Sequence, residues 1–529
     1  MLLPRNSLNF LSLLCTINLF CFPALGKAKQ DVNTSFESLW FKGSVEEAFV
    51  QSKNLNKPLF LYWGAIWCPP CNELKSQVFA KQKFRKLINS VIPVYLDGDT
   101  DTAQKWGEKL KIGGYPTLLI IDTNHRELLR IVESLNIDEF EQAFLAATAL
   151  QKPVKEIIND ALTKKVNPQV WQALAYTHWE QMGEDIFDDA KLLEVSASLL
   201  EKVPTNLVEV KSVLAGKVLK LAARVSQTKG QPPEVQNLLK QIAKNVTSLF
   251  EHIFKSKDTI LASRSVILYD AKKILSWSAS HLGKPQLENV YSKWESAAKL
   301  ISTNAESSID SKLWASYVPL RIYRLRHGDS ASFTKNMLAS IKNAVMQADK
   351  QAKTAFERKS VITGAAYLLR KIEAYGAAKE LLEKELKTSK TPWYIQSSLS
   401  RLEEVQGNHK KALFWSGKAR ESAQGNATKI QWTVSDLLLT IKLEPTELVK
   451  IERLLEEYYQ LTFSLADGFL GRNQVRANKV LRGIKSLPDN KKLSASFLKN
   501  QKKCQLLKAK NAENCEDFFK NLKKTSTAI

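Results

Sequence analysis

Leu59-Phe60-Leu61-Tyr62-Trp63, followed by Trp67-Cys68-Pro69-Pro70-Cys71, is the stretch of this chain that decides its fold. The apolar run after Pro58 reads as a strand, and the pattern from Cys71 to about Asn89 reads as a helix. Two cysteines separated by two residues can close a small disulfide. Placed where a strand gives way to a helix, Cys68 stands at the helix's positive end, where backbone N–H groups favour a thiolate. Such a dithiol can trade electrons with other disulfides. An inert structural disulfide is the plain alternative. Half of a zinc site is another, but it needs two further ligands, and no paired His or second close Cys pair is present, so no metal is expected.

The flanking sequence fills out a domain. Ser44 and Glu47 have the spacing of a capping box for a helix reaching Asn54. Val91–Leu96 is a second strand ending at Asp97-Gly98-Asp99, and a helix over Thr102–Leu110 leads to Gly113-Gly114-Tyr115-Pro116. Strands at Thr117–Asp122 and Leu128–Glu133, joined by a turn at Thr123-Asn124-His125, precede a helix over Ile137–Leu150. Strands alternating with helices, then a hairpin and a last helix, predict an α/β domain over 36–150 with a mixed sheet flanked by helices.

From 151 onward the apolar period becomes three and four, and no strand pattern remains. This predicts a long all-α region of helical hairpins, divided into 151–355, a repeat-like segment at 356–430 and a basic C-terminal part at 431–529. Within 356–430, Ala378 and Ala412 lie 34 residues apart, and each opens the second helix of a pair. Leu399, Gly407 and Ala419 fit a tetratricopeptide-like unit, whereas Ser400 replaces its first-helix glycine.

The 529-residue chain has 77 basic and 54 acidic residues, a net charge of +23. That charge suits anionic surfaces such as lipid headgroups, acidic polymers or acidic proteins, though a solvated Lys-rich helical surface is the simpler reading. No groove-reading motif points to nucleic acid. Residues 1–28 read as a cleavable signal peptide: Arg5, the apolar stretch Phe10–Phe22, and small residues at Ala24-Leu25-Gly26 or Gly26-Lys27-Ala28. The expectation is export to the periplasm or beyond. Removing that segment leaves Cys68, Cys71, Cys504 and Cys515 of six cysteines, which in an oxidising compartment suggests two pairs. In one straight helix Cys504 and Cys515 would stand ~16 Å apart. A structural disulfide between them therefore needs a turn, expected at Asn511-Ala512-Glu513-Asn514.

Residues 36–150 resemble the thioredoxin superfamily, in particular its exported thiol–disulfide interchange members. The resemblance rests on Trp67-Cys68-Pro69-Pro70-Cys71, on Gly114-Tyr115-Pro116-Thr117 and on the order of strands. It implies that Cys68 is the exposed catalytic nucleophile and Cys71 the resolving catalytic thiol. Pro69 and Pro70 would stiffen the motif backbone, and Pro116 would be cis beside the dithiol. Trp67, Tyr115 and Pro116 would form the substrate-binding surface. The proton relay common in the family is missing, because Tyr62 and Pro93 occupy the positions of its buried Asp and Lys. Glu73 is the candidate substitute, although an exposed helix-face carboxylate is the simpler reading.

The sequence thus predicts an exported thiol–disulfide oxidoreductase acting on protein thiols and disulfides. Its redox group would be its own Cys68–Cys71 pair, with no other cofactor, and an unidentified electron partner would recharge it. The helical region would be a scaffold for partners. The competing reading is a helical interaction or envelope-assembly scaffold whose thioredoxin-like domain is a low-turnover binding module.

Overall fold

A computed structural model describes residues 36–178, 188–488, 490–507 and 509–527; the expected signal segment 1–28 lies outside the described residues. Helix α1 (Val45–Leu55) begins with the predicted capping box: the Ser44 hydroxyl accepts from the Glu47 N–H at 3.1 Å, and the Glu47 carboxylate accepts from the Ser44 N–H at 2.7 Å. Strands β1 (Leu59–Gly64), β2 (Ile92–Asp97), β3 (Thr117–Ile121) and β4 (Glu127–Ile131) form one sheet in the order β2-β1-β3-β4. β1 and β2 are parallel, while β3 runs antiparallel to both β1 and β4.

A parallel pair needs a crossover. It is supplied by α2 (Pro69–Leu74), a π-helical turn over Lys75–Phe79 and α3 (Gln82–Leu87). The single helix expected from Cys71 to Asn89 is therefore broken, because Lys81 adopts extended backbone (φ −80°, ψ 141°) where α3 begins. Helix α4 (Asp101–Lys109) joins β2 to β3, and α5 (Ile137–Leu150) follows β4. At the β3–β4 turn the Asp122 carboxylate accepts from the N–H groups of Asn124 and Arg126 at 2.9 and 2.8 Å. His125 takes a left-handed conformation there (φ 64°).

Side chains along a strand alternate between faces, and here the two faces meet different partners. Leu59, Leu61 and Trp63 share one core with Val45 and Phe49 of α1 and with Ala103 and Trp106 of α4. Phe60, Tyr62, Leu118 and Ile120 turn to the other side, against Phe79, Phe84, Phe140 and Phe144. That second core does not stop at the domain edge. It continues through Ile157, Trp171 and Leu214 to Trp294, Phe356, Trp393 and Trp432 of the helical region.

Beyond β4, every regular element among the described residues is helical, and many helices adjacent in sequence pack side by side. In the repeat-like segment, Ala378, Leu399, Ala412 and Ala419 are all buried, and Gly407 makes its turn with φ 75°. Ser400 sits where a glycine would bring two helices together, and its hydroxyl bonds across to the Ala412 carbonyl at 2.8 Å. No helix among the described residues is long and apolar enough to cross a membrane.

Cys504 and Cys515 are disulfide-bonded with Cα atoms 5.6 Å apart, buried against Tyr458, Tyr459, Phe518 and Phe519. The reversal that joins them falls before Ala509, earlier than the expected turn at 511–514. Asn511 is already helical, and its side chain bonds the Phe469 N–H at 2.8 Å and the Ala466 carbonyl at 3.0 Å. Closing so short a loop constrains the unfolded chain by roughly 2–3 kcal/mol. Denaturant unfolding of the double variant Cys504→Ala/Cys515→Ala, followed by tyrosine signals from 458 and 459, is expected to register a loss of that size.

Candidate redox site

Cys68 is the N-cap of α2, and its Sγ accepts from the Cys71 N–H at 3.2 Å. Pro69 and Pro70 fill the first helical positions, where a missing N–H removes no intrahelical bond. The Asn72 side chain fixes the loop from behind, donating to the carbonyls of Cys68 at 2.8 Å and Ile66 at 3.1 Å. Cys68 and Cys71 are joined in a disulfide with Cα atoms 5.2 Å apart. The described residues contain no group of three or more His, Cys, Asp or Glu arranged to hold a metal.

The Tyr115–Pro116 peptide is cis, and the Tyr115 ring packs edge-on to Trp67 at 5.4 Å. The Tyr115 hydroxyl donates to the Gly98 carbonyl at 3.1 Å. A Cβ at Gly98 would lie 2.3 Å from the Tyr115 ring, so only glycine leaves room for it. Trp67 Nε1 donates to Asp99 Oδ2 at 2.7 Å. The loops carrying Trp67, Asp99 and Tyr115 thus converge on the motif. The first and last were candidates from sequence; Asp99 was legible only as a polar residue ending β2.

Two expectations need correction. Cys68, expected as an exposed nucleophile, is 2% exposed, and Cys71 is fully buried. Trp67 is 8% exposed. Helices of the C-terminal region lie over this edge of the domain: Tyr394 stacks on Trp67 at 5.8 Å, and Lys359 Nζ donates to the Ile66 carbonyl at 3.3 Å. Glu73, read most simply as an exposed helix-face carboxylate, is 8% exposed and accepts from the Ser308 hydroxyl at 2.5 Å. It is therefore committed to the helical region.

At the positions of the absent relay, Tyr62 is wholly buried and stacks on Tyr95 at 5.2 Å, while Pro93 lies opposite Phe60 in the sheet. Burial, and then the nearby Asp97 charge, raise the Tyr62 hydroxyl well above its ordinary range, so it stays neutral. The titratable groups here are others. Lys75, one turn beyond Cys71, is buried with its ammonium 4.7 Å from the centre of the Phe36 ring and 5.4 Å from that of Phe356. Burial lowers it to about 8, against the pull of Asp97 and with help from Lys359. Burial raises Asp97, opposed by the Asp99 N–H bond and by Lys75. The spacing of Lys75 from Cys71 was visible in sequence; the rings that bury it were not.

The fold and the Cys-X-X-Cys site define a thioredoxin-like domain, and residues 45–148 match the family model described as Thioredoxin-like domain. Among curated proteins, Thioredoxin 3 of Plasmodium falciparum (isolate 3D7) is 28% identical over 120 residues. That match covers 22% of this chain and 62% of the relative, so the chain spans less than two thirds of the relative's length. Among solved structures, a DsbH oxidoreductase matches with 22% identity, covering 21% of this chain and 85% of that one, at a TM-score of 0.20.

Burial drives the Asp99 carboxyl up to about 6, against hydrogen bonds from Thr428 and Trp67 and the charge of Arg472, with Asp97 adding to the rise. A carboxyl with a raised folded pKa holds its proton more tightly in the native state. Stability from this group is therefore present below about pH 4 and is lost as pH rises through about 6, by at most about 3 kcal/mol. Unfolding measured from pH 4 to pH 7 is expected to show that decline in the wild type and a flatter profile in Asp99→Asn.

Proposed function

We propose that this protein is a thiol–disulfide oxidoreductase that exchanges disulfides with protein substrates through Cys68 and Cys71, with its helical region as the partner-binding scaffold. The observation that carries this reading is the Cys68–Cys71 pair at the start of α2 in a thioredoxin-like domain, beside a cis-proline loop. When the pair is reduced, the Cys68 thiolate attacks one sulfur of a substrate disulfide and the other sulfur leaves as a thiolate, giving a mixed disulfide. Cys71, as thiolate, then attacks Cys68. The second substrate thiol is released, and two electrons have passed from Cys68–Cys71 to the substrate. Run backwards, the same steps oxidise a substrate dithiol.

In this reading Trp67, Tyr115 and Pro116 bind the substrate segment, and Pro69 and Pro70 hold the motif backbone. Cys504–Cys515 is structural, and the two disulfides together fit an exported protein in an oxidising compartment. An external electron partner resets the pair, and no other cofactor is invoked. The basic surface offers contact with anionic surfaces, without nucleic acid.

A second reading draws support from Tyr62 and Pro93 in the relay positions and from the burial of Cys68. It is a helical interaction or assembly scaffold whose thioredoxin-like domain binds partners with little turnover. Expression of Cys71→Ala in the source organism, resolved on non-reducing gels, separates the two. The oxidoreductase reading expects discrete, reductant-sensitive adducts that disappear when Cys68→Ala is added. A folded Cys71→Ala protein that yields no adducts decides for the scaffold.

A further inference from the structure

The surface that a protein client would use in the reading above is already occupied by this chain's own C-terminal region. Tyr394, in the helix Pro392–Val405, stacks on Trp67 and is itself backed edge-on by Trp432 at 5.8 Å. The Thr428 hydroxyl donates to Asp99 Oδ1 at 2.5 Å, while Trp67 donates to the other oxygen of the same carboxylate. Arg472, in the helix Gly471–Lys485, donates to the Tyr115 hydroxyl at 2.8 Å and to the Gln104 side chain. Its guanidinium lies 5.3 Å from the centre of the Tyr115 ring. Three elements that frame the dithiol, at 67, 99 and 115, are thus each gripped by a different part of the helical region.

The grip is close in backbone as well as side chain. Gly425 has φ 77°, and a Cβ there would sit 2.7 Å from the Asp99 carbonyl oxygen. The helix Asn426–Leu443 therefore starts against the Asp99 loop with no space for a side chain between them. On the neighbouring side an open cleft of about 590 Å³ separates the domain from the helices, and Pro69, Pro70 and Glu73 form part of its wall. Neither cysteine lines it. Attack on a disulfide needs the incoming sulfur, the attacked sulfur and the leaving sulfur brought into line, which a Cys68 that is 2% exposed, next to a Trp67 already covered by Tyr394, does not permit for a protein-borne thiol.

We infer that the helical region is a cover over the dithiol, and that exchange with a protein partner proceeds only from an open form in which the contacts of Tyr394, Thr428 and Arg472 with residues 67, 99 and 115 are released. Tyr394, Thr428 and Arg472 are positioning residues in this scheme and take no part in the chemistry. The observed reaction rate then follows the population of the open form. Contacts to a carboxylate and from a guanidinium are among the stronger hydrogen bonds, so their removal favours opening.

The inference rests on the redox reading above, whose own failure would appear as absent Cys68 adducts in the trapping experiment. The cover is tested separately, by the rate at which reduced thioredoxin reduces Cys68–Cys71 in the oxidised full-length protein. One thioredoxin thiolate attacks Cys68, Cys71 leaves as thiolate, and the second thioredoxin thiol resolves the mixed disulfide; thioredoxin is oxidised and the pair is reduced. The rate is read by quenching with acid and tagging the freed thiols with a maleimide. The double variant Thr428→Val/Arg472→Ala is expected to be reduced roughly tenfold faster than the wild type. An unchanged rate in the folded variant overturns the cover. Where that variant does not fold, the wild type decides in urea below its global unfolding midpoint. A reduction rate that climbs exponentially with urea reports an opening that exposes surface, and a flat response overturns it.

Discussion

The apolar face formed by Phe60, Tyr62, Leu118 and Ile120 is the constraint on which the rest of the molecule depends. A small sheet must cover both faces, and the other face is closed locally by α1 and α4. On this face the core under α2, α3 and α5 continues into the helical region. Phe36 shows the consequence: its ring meets Tyr62 and Phe79 within the domain and Phe356 from the helical region. Domain and helices therefore share one core, and the edge of the domain that carries the dithiol is drawn inside it.

That sharing gives the redox site its character. The N-cap Cys68 sulfur has the Cys71 N–H as its first-turn donor, Pro69 and Pro70 having none to give, while burial opposes any charge there. The nearby ionisable groups display the same contest. Burial depresses Lys75 and raises Asp97 and Asp99, and the hydrogen bonds of Thr428 and Trp67 restrain the rise at Asp99. Because Thr428 comes from the helical region, the electrostatics of the site depend on where that region lies. The chemistry of the motif and the position of the helices are thus parts of one balance.

The helical region is more than a spacer in this arrangement. It reaches the domain through polar contacts as well as apolar ones: Ser308 to Glu73, Ser265 to Glu133 at 2.6 Å, and Arg264 to the carboxylate of Glu139. Glu139 also caps α5 by accepting from the Asn136 N–H at 3.0 Å. The last buried cluster, around Tyr458, Tyr459 and Phe518, is clipped by Cys504–Cys515 and lies apart from the shared core. Stapling a terminal unit that has a small core of its own is the usual physical use of a short-loop disulfide.

The sequence by itself determined the elements whose causes are local. Short apolar runs set β1 to β4, Ser44 and Glu47 set the start of α1, and Cys68-Pro69-Pro70-Cys71 set the head of α2. These depend on neighbours one to four residues away, so period and spacing expose them. The reversal before Ala509 and the burial of Glu73 escaped, since each goes with contacts that are not local, Asn511 with 466 and 469 and Glu73 with Ser308. The burial of Cys68 belongs with them. Tyr394, Thr428 and Arg472 reach the motif across more than 300 residues of chain, and no periodicity carries that information. Only the tertiary structure decided that the face beside the dithiol is covered, because the packing of one apolar layer upon another selects which surfaces meet, whereas the pattern of a single segment records only that a surface must be buried.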